Sequence, residues 1–229
     1  MEFIIITIVI LIISTILGMI FSYNLKKIKH IADDGELDEI AKKLPSNKEI
    51  CKSYLKILKN DKTKIEECEN NQASLYIALT DKILIADIKN TYTRVQTLAH
   101  ECLHSVQDKR IVNFNFIYSN IYLICYLVML VLTIFKVLPY KMMFFAIFLV
   151  LSLVYYMVRM YLENDAMIKA RYLAKEYLQE RTEVTKEETE KLVNGFDKIN
   201  LLGMKAIHYQ MFFNIMVKAL IFLIICIMR

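Results

Sequence analysis

The chain has 229 residues, 56% of them hydrophobic, with only four Gly and two Pro. A composition this apolar and this poor in helix breakers excludes an ordinary soluble domain and points to a mainly α, multi-pass membrane protein. The net charge of +5 comes without the basic-aromatic interleaving of a nucleic-acid surface, so no nucleic-acid partner is expected.

The first element is an apolar segment, Phe3 to Tyr23, close to the roughly 20 residues needed to cross a hydrocarbon core. No small-x-small cleavage site follows it, so residues 1–23 read as an uncleaved transmembrane anchor. Lys26, Lys27, Lys29 and His30 then form a basic membrane-proximal flank. The polar region 24–116 opens with helices. In it "SNKE", Ser46 to Glu49, is a capping box for a helix running through about Lys59. "SLYIALTDKILIAD", Ser74 to Asp87, is rich in β-formers around Thr80 and Asp81 and predicts a β-hairpin.

A helix follows from about Thr91 to Asp108. Val95, Leu98, Ala99, Cys102, Leu103 and Val106 recur on one apolar face, with Thr97, His100, Glu101, His104 and Asp108 opposite. The stretch "AHECLH" contains H-E-x-x-H. Histidines four apart lie one turn from each other on one side of a helix, so His100 and His104 can direct both imidazoles at one zinc ion. Glu101 is placed to reach a zinc-bound water rather than the metal, and to take its proton as that water attacks a peptide carbonyl. The motif is flanked by Arg94, Gln96, Asp108, Lys109 and Arg110, which argues against a site inside an apolar span.

The second and third apolar segments, Ile117 to Phe135 and Met142 to Met160, are separated only by "KVLPYK". Residues 117–160 are therefore a transmembrane hairpin with Pro139 in its turn. The polar region 161–207 begins with "YLENDAMIKARYLAKEYL", where Glu163 shares one helical stripe with Ala166, Ala170, Ala174 and Tyr177. Small alanines allow another helix to approach closely, which would carry Glu163 to the histidines as a third zinc ligand. Asp165 is expected to support a zinc ligand from behind or to play a structural part. Glu163 stands only about 5 Å of helix rise beyond Met160, which sets the site at the membrane surface. "TKEE", Thr185 to Glu188, caps a short helix expected to end near Gly195.

The last segment, 208–229, is a fourth transmembrane helix. His208, with Tyr209, stands at its entry, either as a donor to a tetrahedral oxyanion or as an interfacial structural residue. Asn214 and Lys218 lie one turn apart within it, facing a bundle interior or snorkelling.

Orientation follows from the basic residues at the segment ends. With the N-terminus outside, Lys26, Lys27, Lys29, Lys109, Arg110, Arg159, Lys169, Arg171, Lys175, Lys198 and Lys205 lie inside, against Lys136, Lys141 and Arg229 outside. This bias of eleven to three puts both polar regions in the cytosol of a cell-membrane protein. Five scattered cysteines, Cys51, Cys68, Cys102, Cys125 and Cys226, with no C-x-x-C pair, fit reduced thiols there rather than a disulfide framework.

The order of anchor, polar region with strands, "AHECLHSVQ", membrane hairpin, "ENDAMIKA" and a further membrane helix resembles the YugP-like membrane zinc metallopeptidases. That family is similar to gluzincins of the HtpX and CAAX-prenyl-protease type. The resemblance covers roughly Ser74 to Leu178. It implies a small zincin-like α+β catalytic part, zinc held by His100, His104 and Glu163, and Glu101 as general base; Asp165 and Ala166 complete the matched E-x-D-A segment. Leu103 departs from the glycine common before the second histidine, and Met167 from the aspartate of HtpX-type enzymes. The expected function is zinc-dependent cleavage of a membrane or membrane-proximal protein at the cytosolic face. The other class open to the sequence is an inactive zincin-like membrane scaffold that binds partners; Glu101, which a purely structural metal site has no use for, favours the enzyme.

Overall fold

The computed structural model describes residues 1–68, 73–86 and 91–228, so Asp87, at the end of the expected hairpin, and Arg229 lie outside the described residues. The elements in chain order are α1 (Glu2–Ala32), α2 (Gly35–Lys42), α3 (Asn47–Ile57), β1 (Lys64–Glu67), β2 (Leu75–Ile77), β3 (Lys82–Ile85), α4 (Arg94–His104), α5 (Lys109–Ile134), α6 (Lys141–Gln179) and α7 (Lys186–Met228). The protein is mainly helical with one small sheet, and α1, α5, α6 and α7 are long and apolar enough to cross a membrane. These four helices are compatible with a multi-pass membrane protein.

The chain divides into two units. The first comprises Met1–Leu25, Asn113–Tyr161 and Lys205–Arg229. Its helices carry apolar surface outward: Ile4, Ile8, Ile12 and Ile16, one turn apart on α1, are each about half exposed. Such a stripe would be an aggregation surface in water and is the normal dress of a helix in lipid. Inside the unit, Phe145 stacks on Phe222 with ring centres 5.8 Å apart. The buried hydroxyls of Thr133 and Ser152 return to carbonyls one turn back, at 2.7 Å each, which satisfies them where no water competes. Lys218 does not snorkel away from its neighbours; its Nζ sits 4.5 Å from the centre of the Tyr122 ring, with Tyr126 and Tyr155 within 6 Å. Its neighbour Asn214 is exposed.

Two Schellman motifs end helices without glycine. After α5, Lys136 takes a left-handed φ of 59° while Val137 N–H reaches back to Leu132 O at 2.9 Å. After α3, Lys59 does the same at φ 54°, with Asn60 N–H on Leu55 O at 2.8 Å.

The second unit comprises Lys26–Val112 and Leu162–Met204. The Ser46–Glu49 capping box is present and opens α3, which stops at Ile57. The expected hairpin is β2 and β3, antiparallel with Tyr76 opposite Ile83. A third strand, β1, pairs parallel with β3, so β3 is central in the order β1-β3-β2. The strand pair expected from the sequence is thus a three-stranded sheet. The sequence conceals β1 because "KIEE" offers one apolar residue, Ile65, and its outer edge is solvated.

Helix α4 is buried more completely than its amphipathic pattern implies. Val95, Leu98, Ala99 and Cys102 are fully buried, but Glu101, Gln96 and Arg94 are buried as well. Arg94 spends its guanidinium on the loop after α2, donating to Ala41 O at 2.7 Å, Leu44 O at 3.0 Å and Pro45 O at 2.8 Å. It satisfies Leu44 O and Pro45 O just past the end of α2 and adds a second donor to Ala41 O, which already accepts from Leu44 N–H. Val106, expected on the apolar face, is exposed, because α4 ends at His104 and the helical phase is lost beyond it.

A second correction concerns Gly195. It does not end a short helix: α7 runs through it without a break. A Cβ there would lie 2.8 Å from Leu37 Cδ1 and 3.0 Å from the Tyr92 ring, so glycine serves close packing rather than a cap.

Candidate metal centre

The geometry of α4 brings the two histidines together, as any helix does for residues four apart. Their Nε2 atoms lie 3.0 Å apart. Glu163 comes from α6, where Ala166, Ala170 and Ala174 are all fully buried in the same core as α4. The alanine stripe removes the side-chain bulk that would hold α6 away. Glu163 Oε2 lies 3.3 Å from His100 Nε2 and 3.7 Å from His104 Nε2. Among the described residues this is the cluster of three or more metal-ligating side chains.

The donor set fits a zinc ion by chemistry and by spacing. Two imidazoles and one carboxylate form a catalytic-type set that leaves a fourth position open. Ligand atoms at tetrahedral corners about 2.0–2.1 Å from a metal are about 3.3–3.4 Å apart. The three separations found, 3.0, 3.3 and 3.7 Å, straddle that value. His100 Nδ1 is buried with no hydrogen-bond partner among the described residues, so the polar contacts of that ring are made through Nε2.

Gln107, which no sequence motif marks, orients the other ring. Its amide nitrogen donates to Leu162 O at 2.7 Å and to Asp165 Oδ2 at 3.2 Å, so its oxygen is left to accept from His104 Nδ1–H at 2.9 Å. That tautomer keeps the Nε2 lone pair of His104 toward the cluster. Asp165 is therefore joined to the site through Gln107, and its other oxygen pairs with Lys169 at 2.6 Å. The signal was available in part: Gln107 stands three residues after His104, but its reach depends on α4 ending where it does.

Glu101 lies beside the first histidine and is only 8% exposed. Burial pushes its carboxyl above the usual range, against the opposing influence of His100, His104 and a hydrogen bond from Tyr76 N–H. Tyr76 is on the edge strand β2. For His104, burial disfavours the charged ring, yet the carboxylates of Glu163 and Glu101 and the Gln107 bond outweigh it and raise its pKa. Tyr76 continues into a second polar knot. Its hydroxyl donates to Asp81 Oδ1 at 2.8 Å, Thr63 donates to the same oxygen at 3.0 Å, and Lys109 Nζ lies 2.9 Å from the Tyr76 hydroxyl.

His208 belongs to the first unit, where its Nδ1 lies 2.6 Å from the Tyr156 hydroxyl. The structure thus brings His100, Glu101, His104 and Glu163 together, links Asp165 to them, and gives His208 a tyrosine partner.

No family model, no curated protein and no solved structure matches this chain.

Proposed function

We propose that the chain is a zinc-dependent membrane metalloendopeptidase of the gluzincin kind, related to the YugP-like family, with its site at the cytosolic membrane surface. The observation that carries the reading is the convergence of His100, His104 and Glu163 next to a buried carboxyl that ligates nothing, Glu101. His100, His104 and Glu163 would hold the ion, and Zn²⁺ would supply Lewis acidity that brings water ionisation toward neutral pH and polarises a peptide carbonyl.

The remaining work falls to the protein. The raised pKa of Glu101 suits a group that accepts a proton from attacking water and returns it to the leaving amine, since transfer is most efficient when the catalytic pKa approaches the working pH. Gln107 and Asp165 hold His104 in the tautomer that ligation requires. Strand β2 pairs with β3 on one side only among the described residues. Its outer edge, where Tyr76 N–H already bonds Glu101, leaves its other backbone groups to an extended substrate. The surrounding elements, a helix with the two histidines, a small sheet before it and a later helix with the glutamate, supply the parts of a zincin-like unit.

The test compares purified wild type with Glu101→Gln and His104→Ala for zinc content and for cleavage of a membrane-protein substrate in liposomes. Glu101→Gln is expected to keep zinc and to lose roughly 10²–10⁴-fold in turnover, the worth of a positioned acid-base group. His104→Ala is expected to lose both. Undiminished cleavage by zinc-loaded Glu101→Gln would exclude the mechanism, and zinc-loaded wild type inert toward a broad substrate panel would favour the scaffold.

A further inference from the structure

Away from the histidine cluster, the first unit carries a groove of about 580 Å³ between α1, α6 and α7. One end is polar: Lys205, His208 and Tyr209 come from α7, and Tyr156 of α6 bonds His208. The rest is apolar, walled by Leu17 of α1 and by Phe212 and Met216 of α7. Among the described residues no acidic side chain lines it, and Lys205 is exposed.

The two ends are separated along one helix. From Lys205 to Phe212 is two turns of α7, about 10 Å of rise, and Met216 lies one turn further. A positive, hydroxyl-rich mouth followed over that distance by an apolar trough matches an amphiphile with an acidic head and a hydrocarbon tail. Tyrosines at the mouth fit the depth of lipid headgroups. A zwitterionic headgroup would set its own ammonium against Lys205, whereas a phosphodiester head with net negative charge meets a lysine, a histidine and phenolic hydroxyls. We propose that this groove is a binding site for one anionic phospholipid, its phosphate at Lys205, His208 and Tyr209 and one acyl chain along Leu17, Phe212 and Met216. The assignment is independent of the metal centre.

The chain contains no tryptophan, so Phe212→Trp gives a single reporter inside the groove. The protein, reconstituted in mixed vesicles, is titrated with brominated phosphatidylglycerol or brominated phosphatidylcholine, and the quenching of that tryptophan is read. About a five-fold preference for phosphatidylglycerol is expected, the worth of one basic residue at an anionic headgroup. Adding Lys205→Glu should abolish it, and a reporter at Leu153, an exposed position on α6, should show none. Equal quenching by the two lipids, a preference that survives Lys205→Glu, or the same preference at Leu153→Trp would each overturn the proposal. A second measurement avoids the reporter: phosphatidylglycerol retained by full-length protein in native mass spectrometry should fall several-fold from wild type to Lys205→Gln, and equal retention would overturn it too.

Discussion

Because its nitrogen already donates to Leu162 O and Asp165, the Gln107 amide can offer His104 only its oxygen. Gln107→Leu keeps the size and removes this bond, so His104 loses its fixed tautomer. Zinc affinity, measured against a chromophoric chelator, should fall about 10–100-fold, the usual cost of losing a group that orients a metal-binding histidine. An unchanged affinity would make Gln107 a strut between α4 and α6 and nothing more. A second prediction at this scale concerns Asp81. Partial burial acts against its charge, but hydrogen bonds from Tyr76 and Thr63 and the charge of Lys109 outweigh it and hold its carboxyl below the usual range. A carboxyl depressed in the folded state adds stability that is present above its unfolded value of about 3.9 and is lost as pH falls through the folded value. Asp81→Asn should therefore flatten the acid limb of the stability-pH curve below about pH 4, read by circular dichroism. An acid limb identical to wild type would show that the knot contributes nothing there.

Among the elements, two helix ends carry a cost that the sequence could shed. Lys59 and Lys136 both sit at left-handed φ where glycine is the unstrained residue. A left-handed L-residue costs roughly 1–2 kcal/mol, and glycine returns part of it as unfolded-state entropy. Lys59→Gly and Lys136→Gly should each raise the unfolding midpoint, by roughly 0.5–1 kcal/mol in stability; a lowered midpoint would mean that the lysine side chains stabilise these turns. Arg94→Met should act the other way, leaving the buried carbonyl of Leu44 unmatched at about 1–3 kcal/mol. Elements were legible where one chemical pattern decides them. Four long apolar runs, the Ser46 capping box and the i, i+4 histidines depend on local spacing alone. The alanine stripe also made the approach of Glu163 legible, since it tells which face of α6 is packed. What escaped depends on partners distant in sequence. Strand β1 is defined by β3 rather than by its own residues, Gly195 imitates a helix end while serving contact with Leu37 and Tyr92, and Gln107 matters only because α4 stops at His104.

For the whole molecule the open quantity is sidedness. The bias of basic residues predicts that a membrane-impermeant thiol reagent, applied to intact cells, misses cysteines placed at Lys64 and Thr185 and reaches one at Val137, in a background without the native cysteines. Val137 is well exposed in the α5–α6 turn, so failure to label it would be informative. Labelling of Lys64→Cys from outside would reverse the orientation and move the site to the opposite compartment. The α5–α6 hairpin has one further consequence, for biogenesis. It lies in the chain between the histidines and Glu163, so a nascent chain that inserts α5 but not α6 carries the two halves of the cluster on opposite faces of the bilayer. On the proposed reading, Glu163 would join the histidines only after both spans are in place, and a misthreaded chain would hold an incomplete donor set.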